Sequence, residues 1–109
     1  MNIISNELFL QDLLELTKQI KKRPELYTGE RSLTKLYYLL KGFAHAYHCL
    51  DAEKKTFDFY PGFQAWIQNR EGIKTTQQWY KILLFYSTSE SEALDLFFER
   101  LEEFYNTIL

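Results

Sequence analysis

Arg23-Pro24-Glu25-Leu26-Tyr27-Thr28-Gly29-Glu30-Arg31-Ser32-Leu33 joins two helical patterns, and its reading decides a fold of helices meeting at a sharp corner. Upstream, Phe9, Leu13, Leu16 and Ile20 recur at i, i+4, i+7 and i+11, which predicts a helix from about Ser5 or Asn6 to Lys22. Lys18, Lys21, Lys22 and Arg23 crowd its end, where cations complement the negative pole of the helix. Pro24 disfavours continuation and biases Arg23 away from helical dihedrals. Inside the corner Tyr27 is expected to pack into the core while Gly29 takes a positive φ for the turn. The competing reading makes Tyr27 a contact for a partner or ligand. Structure is preferred, because Pro24 and Ser32 already account for a fixed corner.

Downstream, Ser32 caps a second helix expected to reach about Leu50, with Leu33, Leu36, Tyr37, Leu40, Ala44 and Tyr47 as its stripe. Tyr38, Leu39, Gly42, Ala46 and Cys49 leave its other side poor in charge, so it is expected to be buried on more than one side. Gly42 costs about 1 kcal/mol in a helix interior, and with Ala46 one turn on it is expected to admit a close neighbour. Asp51-Ala52-Glu53-Lys54-Lys55-Thr56 reads as an exposed connection, followed by Phe57, Phe59 and Tyr60. A short third helix is expected from about Pro61 to Arg70, with Phe63, Trp66 and Ile67 on one face and Gly72 as left-handed cap.

Thr75 and Gln78 have capping-box spacing and open a fourth helix to about Tyr86. Trp79, Ile82, Leu83 and Tyr86 form its stripe, and Leu84 and Phe85 thicken it, so it too is expected to be mostly buried. Ser89-Glu90-Ser91-Glu92 is a second capping box, opening a fifth helix from about Glu90 to Thr107. Its inward side is Leu94, Phe97, Phe98, Leu101, Phe104, Tyr105 and Ile108. The expectation is an all-α chain of about five helices in one compact domain, residues 1–109, with the second and fourth helices central and buried.

Composition narrows the classes. An apolar fraction of 46% with 17% aromatics excludes a disordered chain. A single cysteine, Cys49, excludes an internal disulfide and points to a reducing cytoplasm. Met1-Asn2-Ile3-Ile4-Ser5 has no basic lead, and Glu7 and Asp12 interrupt any apolar run, so neither a signal peptide nor a membrane span is expected. Residues 1–55 carry 9 Lys+Arg against 7 Asp+Glu, whereas residues 56–109 carry 4 against 8. A nucleic-acid binder needs a basic surplus, which this chain lacks, and its acidic half instead suits a basic partner.

Chemistry is mostly not found. His45 and His48 at i, i+3 lack a third convergent ligand, since Cys49 points elsewhere on the wheel, so no metal and no cofactor are expected. His45 and Cys49 at i, i+4 can touch, but no loop nearby offers an oxyanion hole. Gly29, Gly42, Gly62 and Gly72 are scattered singly and make no phosphate cradle. No catalytic residue is assigned and the chain is read as a non-enzyme. The basic run Lys18–Arg23 is read as a solvated helix end rather than a phosphate-backbone contact.

The strongest functional signal is the outer face of the fifth helix. Glu92, Asp95, Glu99, Glu102 and Glu103 fall together on the wheel, opposite Phe97 and Leu101, with Leu96 beside them and facing water. A solvated acidic face is the bland explanation. An acid-rimmed apolar anchor also suits a basic protein partner, because charge speeds association while apolar burial supplies affinity.

The pattern Arg23-Pro24-x-Leu26-Tyr27-x-Gly29, then Ser32-Leu33, Gly42-Phe43 and Phe63-x-x-Trp66, resembles small all-α bacterial immunity proteins of contact-dependent growth inhibition and polymorphic toxin systems. The resemblance covers about residues 23–67, with a looser match over 75–105, and it departs from the pattern at Glu71, where an aromatic is expected. It implies a cytoplasmic, non-enzymatic protein that binds a cognate toxin domain, often a ribonuclease or DNase with a basic surface. Inhibition would be steric and electrostatic, with no direct nucleic-acid or membrane contact. The rival reading is a small bacterial regulatory or adaptor module that binds an unrelated protein. A third class is a ligand-binding or enzymatic helical domain built around His45 and Tyr27.

Overall fold

In the computed structural model, which describes residues 6–49 and 60–108, the first helix, α1, runs Asn6–Lys22. Phe9, Leu13 and Ile20 are buried along its predicted stripe, and Leu16 packs half-buried against them. Thr17 fills the same face. Its Oγ1 donates to Leu13 O at 2.7 Å and lies 2.6 Å from Tyr60 Oη. A threonine has one hydroxyl proton, so in this pair the Tyr60 phenol is the donor.

A one-turn helix, α2 (Glu25–Thr28), follows Pro24 directly. Proline stops α1 but suits the start of the next helix, because its fixed φ is already helical and its missing N–H is not needed there. Gly29 at φ 81° ends the turn, donating to Glu25 O at 2.9 Å. Pro24 takes the inward position, and Leu26 and Tyr27 stand 67% and 40% exposed. Tyr27 is therefore not a core residue: a single surface turn has one inward direction, and Pro24 occupies it.

The long third helix, α3, spans Leu33–Cys49. Ser32 Oγ accepts from Lys35 N at 3.1 Å, the expected cap. Leu33, Leu36, Tyr37, Leu40 and Ala44 are buried, and Tyr47 is partly so. Tyr38, Lys41, Gly42, His45 and Ala46 face solvent, and a Cβ placed on Gly42 meets nothing within 4 Å. The expected close approach at Gly42 and Ala46 does not occur. That face is poor in charge, but nothing in the described residues covers it.

The expected exposed connection Asp51–Thr56 lies outside the described residues, as do Phe57 and Phe59. The chain re-enters at Tyr60, fully buried with φ 60°, followed by Gly62 at φ 88°. These left-handed residues form a turn that carries the Tyr60 ring inward to Thr17. Pro61 is part of that turn, so α4 starts two residues later than expected, at Phe63, and ends at Glu71. Gly72 at φ 64° and the bond from Ile73 N to Gln68 O at 3.0 Å close it as expected of a glycine-capped helix.

The fifth helix, α5, covers Trp79–Phe85, and the sixth, α6, covers Glu90–Ile108. Gln78 makes no side-chain cap, and Thr75 Oγ1 accepts from Gln77 N instead. The free N–H of Trp79 is satisfied from another helix, by Gln64 Oε1 at 2.7 Å. Ser89 Oγ accepts from Glu92 N at 3.0 Å, while the Glu92 carboxylate turns back to Thr88 N rather than to Ser89.

The described residues form one all-α body of six helices. Long α6 packs on α3, α4 and α5, and α5 lies against both α3 and α4. At the centre Phe97 stacks on Trp79 at 5.0 Å between ring centroids, Phe63 and Tyr60 stand edge-on to Trp79, and Phe104 stands edge-on to Phe63. Leu40 and Leu83 are fully buried, as expected of α3 and α5, yet each helix keeps one side open to water.

Candidate protein-binding surfaces

The α6 residues singled out from sequence lie on one side of the helix, but their circumstances differ. Glu92, Asp95, Glu99 and Glu102 are exposed and Glu103 is half-buried. Asp95 is ion-paired with Arg31, whose Nε also donates to Ser91 at 2.8 Å. Glu103 takes a two-pronged contact from Arg70, 3.0 Å to Nε and 3.2 Å to Nη2. Arg100 lies 3.5 Å from Glu71, 3.7 Å from Glu99 and 3.6 Å from Glu103. Glu92 is occupied with Thr88, through its backbone N–H and its hydroxyl.

The ridge is thus partly neutralised by its own arginines. The Arg31–Asp95 pair, whose carboxylate stands in solvent, contributes about 0–1 kcal/mol to stability, so a partner displaces it at small cost, whereas Arg100 and Glu71 are largely covered. Leu96 is half-buried and packed against the core, which corrects its expected water-facing position. Its place on the wheel borders the buried stripe, and α6 sits deep enough among three helices to cover it. Glu102 overhangs a groove of about 360 Å³ between α1 and α6, lined also by Leu14, Lys18, Lys21, Phe98 and Tyr105.

A second surface was not expected. The outer side of α5 carries Phe85, 74% exposed, beside half-buried Leu84 and Ile73. Together with Lys81, Thr75 and Gln77 they line an open groove of about 570 Å³. Its far wall is the chain from 73 to 78, held by two α4 glutamines. Gln68 Nε2 donates to Thr75 O at 2.6 Å and Gln64 Nε2 donates to Gln77 O at 2.9 Å. The sequence expectation put Phe85 inside. Lys81 carried the contrary signal: it lies one turn before Phe85, and residues four apart share a helix face.

A third cluster joins α3, α5 and α6. Tyr37 and Tyr80 stack at 4.0 Å, and the Tyr38 and Tyr80 hydroxyls lie 3.3 Å apart. That hydroxyl contact, aided by burial, pushes Tyr80 up to about 12, so it stays protonated at physiological pH. The Glu90 carboxylate accepts from Thr34 N at 2.9 Å, Thr34 Oγ1 at 2.7 Å and Ser32 Oγ at 3.2 Å. Burial alone would raise its pKa, but these bonds outweigh it and hold the carboxyl below its ordinary value. Glu90 therefore caps α3 while opening α6.

His45 is exposed on α3, and the side chains of His48 and Cys49 lie outside the described part. Among the described residues no three or more His, Cys, Asp or Glu converge as metal ligands, and no helix is long and apolar enough to cross a membrane. Lys18, Lys21, Lys22 and Arg23 are exposed along the end of α1. Comparison with protein-family models, with curated proteins and with solved structures finds no match to this chain.

Proposed function

We propose that this chain acts by binding, as a cytoplasmic immunity protein that neutralises a cognate bacterial toxin domain without performing chemistry. The observation that carries the reading is the run of exposed carboxylates Glu92, Asp95, Glu99 and Glu102 along α6. From Glu92 to Glu102 the helix rises roughly 15 Å, long enough to span several phosphate positions on a nuclease surface. Acidic side chains seated there exclude the nucleic-acid backbone both sterically and electrostatically. The immunity-like pattern from Arg23 to Leu33 supports the same partner class.

The toxin is a basic domain, a ribonuclease or DNase, and no cofactor or metal takes part. Purified chain titrated into candidate toxin domains is expected to saturate at one-to-one stoichiometry and to protect growing cells from the toxin. Absence of both binding and protection across nuclease toxins of neighbouring open reading frames overturns the reading. The apolar α5 groove favours a second reading, a small bacterial regulatory or adaptor module. In that case the chain binds an unrelated protein and gives no protection.

A further inference from the structure

We propose that the outer face of α5 docks an amphipathic helical segment of another protein, whose apolar residues are flanked by carboxylates. Phe85 is the anchor: it is 74% exposed, the largest exposure among the large hydrophobic side chains of the described residues. Ile73 and Leu84 extend the apolar floor on either side of it. Aromatic side chains standing out of a shaped groove are where binding energy concentrates in protein interfaces.

Charge selects the occupant. Lys81 lies on the rim of this groove, and Lys74 on that of the adjoining groove, which shares Ile73 and Thr75 with it. Among the described residues no carboxylate lines either groove. Neither lysine forms an ion pair among the described residues, whereas Arg31, Arg70 and Arg100 all do. A segment bearing Asp or Glu beside its apolar positions meets two unspent cations. A second copy docked about a two-fold axis would set Lys74 and Lys81 against the same lysines, which disfavours self-pairing.

The groove is also preformed. Gln64 and Gln68 hold its far wall at Gln77 and Thr75, and the Ile73 N–H is bonded back to Gln68 O at 3.0 Å. A wall fixed before binding spares the complex much of the ordering cost. A helix laid into an apolar groove, with anchors at i, i+3, i+4 and i+7, is an established mode of recognition. The described lining of the two grooves includes no α6 residue and carries the opposite charge to the acidic ridge, so the proposal stands whether or not the toxin reading does.

The test uses two labelled helical peptides of about 14 residues with leucine at those anchor positions. One carries glutamate on its flanks, and the other lysine. Fluorescence anisotropy and amide chemical shifts of the full chain are recorded with each. The glutamate peptide is expected to bind saturably, with shifts centred on residues 73–77 and 81–85. Phe85→Ala should weaken it by roughly tenfold or more. Lys74→Glu with Lys81→Glu should reverse the preference toward the lysine peptide. Equal binding of the two peptides by the parent chain, or shifts centred elsewhere, overturns the proposal. Sedimentation showing a dimer that Phe85→Ala dissociates also overturns it, in favour of a second copy. Should Phe85→Ala fail to fold, the double lysine reversal decides alone: a preference left unchanged refutes the proposal.

Discussion

Replacing Glu90 with alanine removes the acceptor that ties the start of α6 to the start of α3. The side chain takes three hydrogen bonds, from Thr34 N, Thr34 Oγ1 and Ser32 Oγ, at 2.9, 2.7 and 3.2 Å. Thr34 N is one of the orphan donors of the first α3 turn, and Ser32 Oγ already serves Lys35 N. Hydrogen bonds to a charged group contribute about 1.5–3 kcal/mol each when well shielded, and the helix pole adds about 0.5. Glu90 is only half-buried, so solvent screening reduces the total to about 2 kcal/mol. Glu90→Gln keeps one acceptor oxygen and the shape, and should cost about half as much. Urea titration followed by circular dichroism reads both values, with the slope unchanged.

The acid limb sharpens the test. The folded carboxyl sits below its ordinary value, so the folded chain binds that proton less readily than the unfolded chain. Its contribution is whole above the ordinary carboxylate pKa and drains away as pH falls through the depressed folded value. The stability gap between parent and Glu90→Gln should therefore narrow in acid. A gap below about 0.5 kcal/mol at neutral pH, or one that persists unchanged at the acid end, refutes the reasoning.

Gly42→Ala should stabilise the chain by about 0.5–1 kcal/mol, because the position is an exposed helix interior with room for the methyl group, and a lower urea midpoint would mean that α3 is covered there. Thr17→Val should cost about 1–3 kcal/mol, since it strips the buried Tyr60 phenol of the oxygen it donates to; thermal unfolding no different from the parent would contradict that pairing.

The long helices were legible because their apolar periods are strong and local. The stripe of α1, the buried side of α3 and the core side of α6 all follow from spacing, as do the Ser32 and Ser89 caps and the left-handed Gly72. What sequence missed depends on contacts distant along the chain. Gln64 caps α5 across 15 positions, and Glu90 caps α3 across 56. Neither pairing leaves a local signature, and the nearer Thr75 and Gln78 offered a false one. The turn α2 was hidden because Pro24 reads as a stop before it reads as a start. The acidic α6 side was legible as a wheel, whereas its partners Arg31 and Arg70 were not, since only folding brings them across.

The central claim, that this chain neutralises a basic toxin through the acidic side of α6, is tested most directly by association kinetics. Stopped-flow rates with the cognate toxin domain, taken over a range of salt, compare the parent with a Glu99→Lys, Glu102→Lys double variant. Both side chains are exposed, so the fold should be untouched. Rim charges act on encounter, so the variant should associate about tenfold more slowly at low salt, and the two rates should converge as salt screens the field. Equal rates at every salt concentration, with growth protection intact in the variant, would contradict the claim.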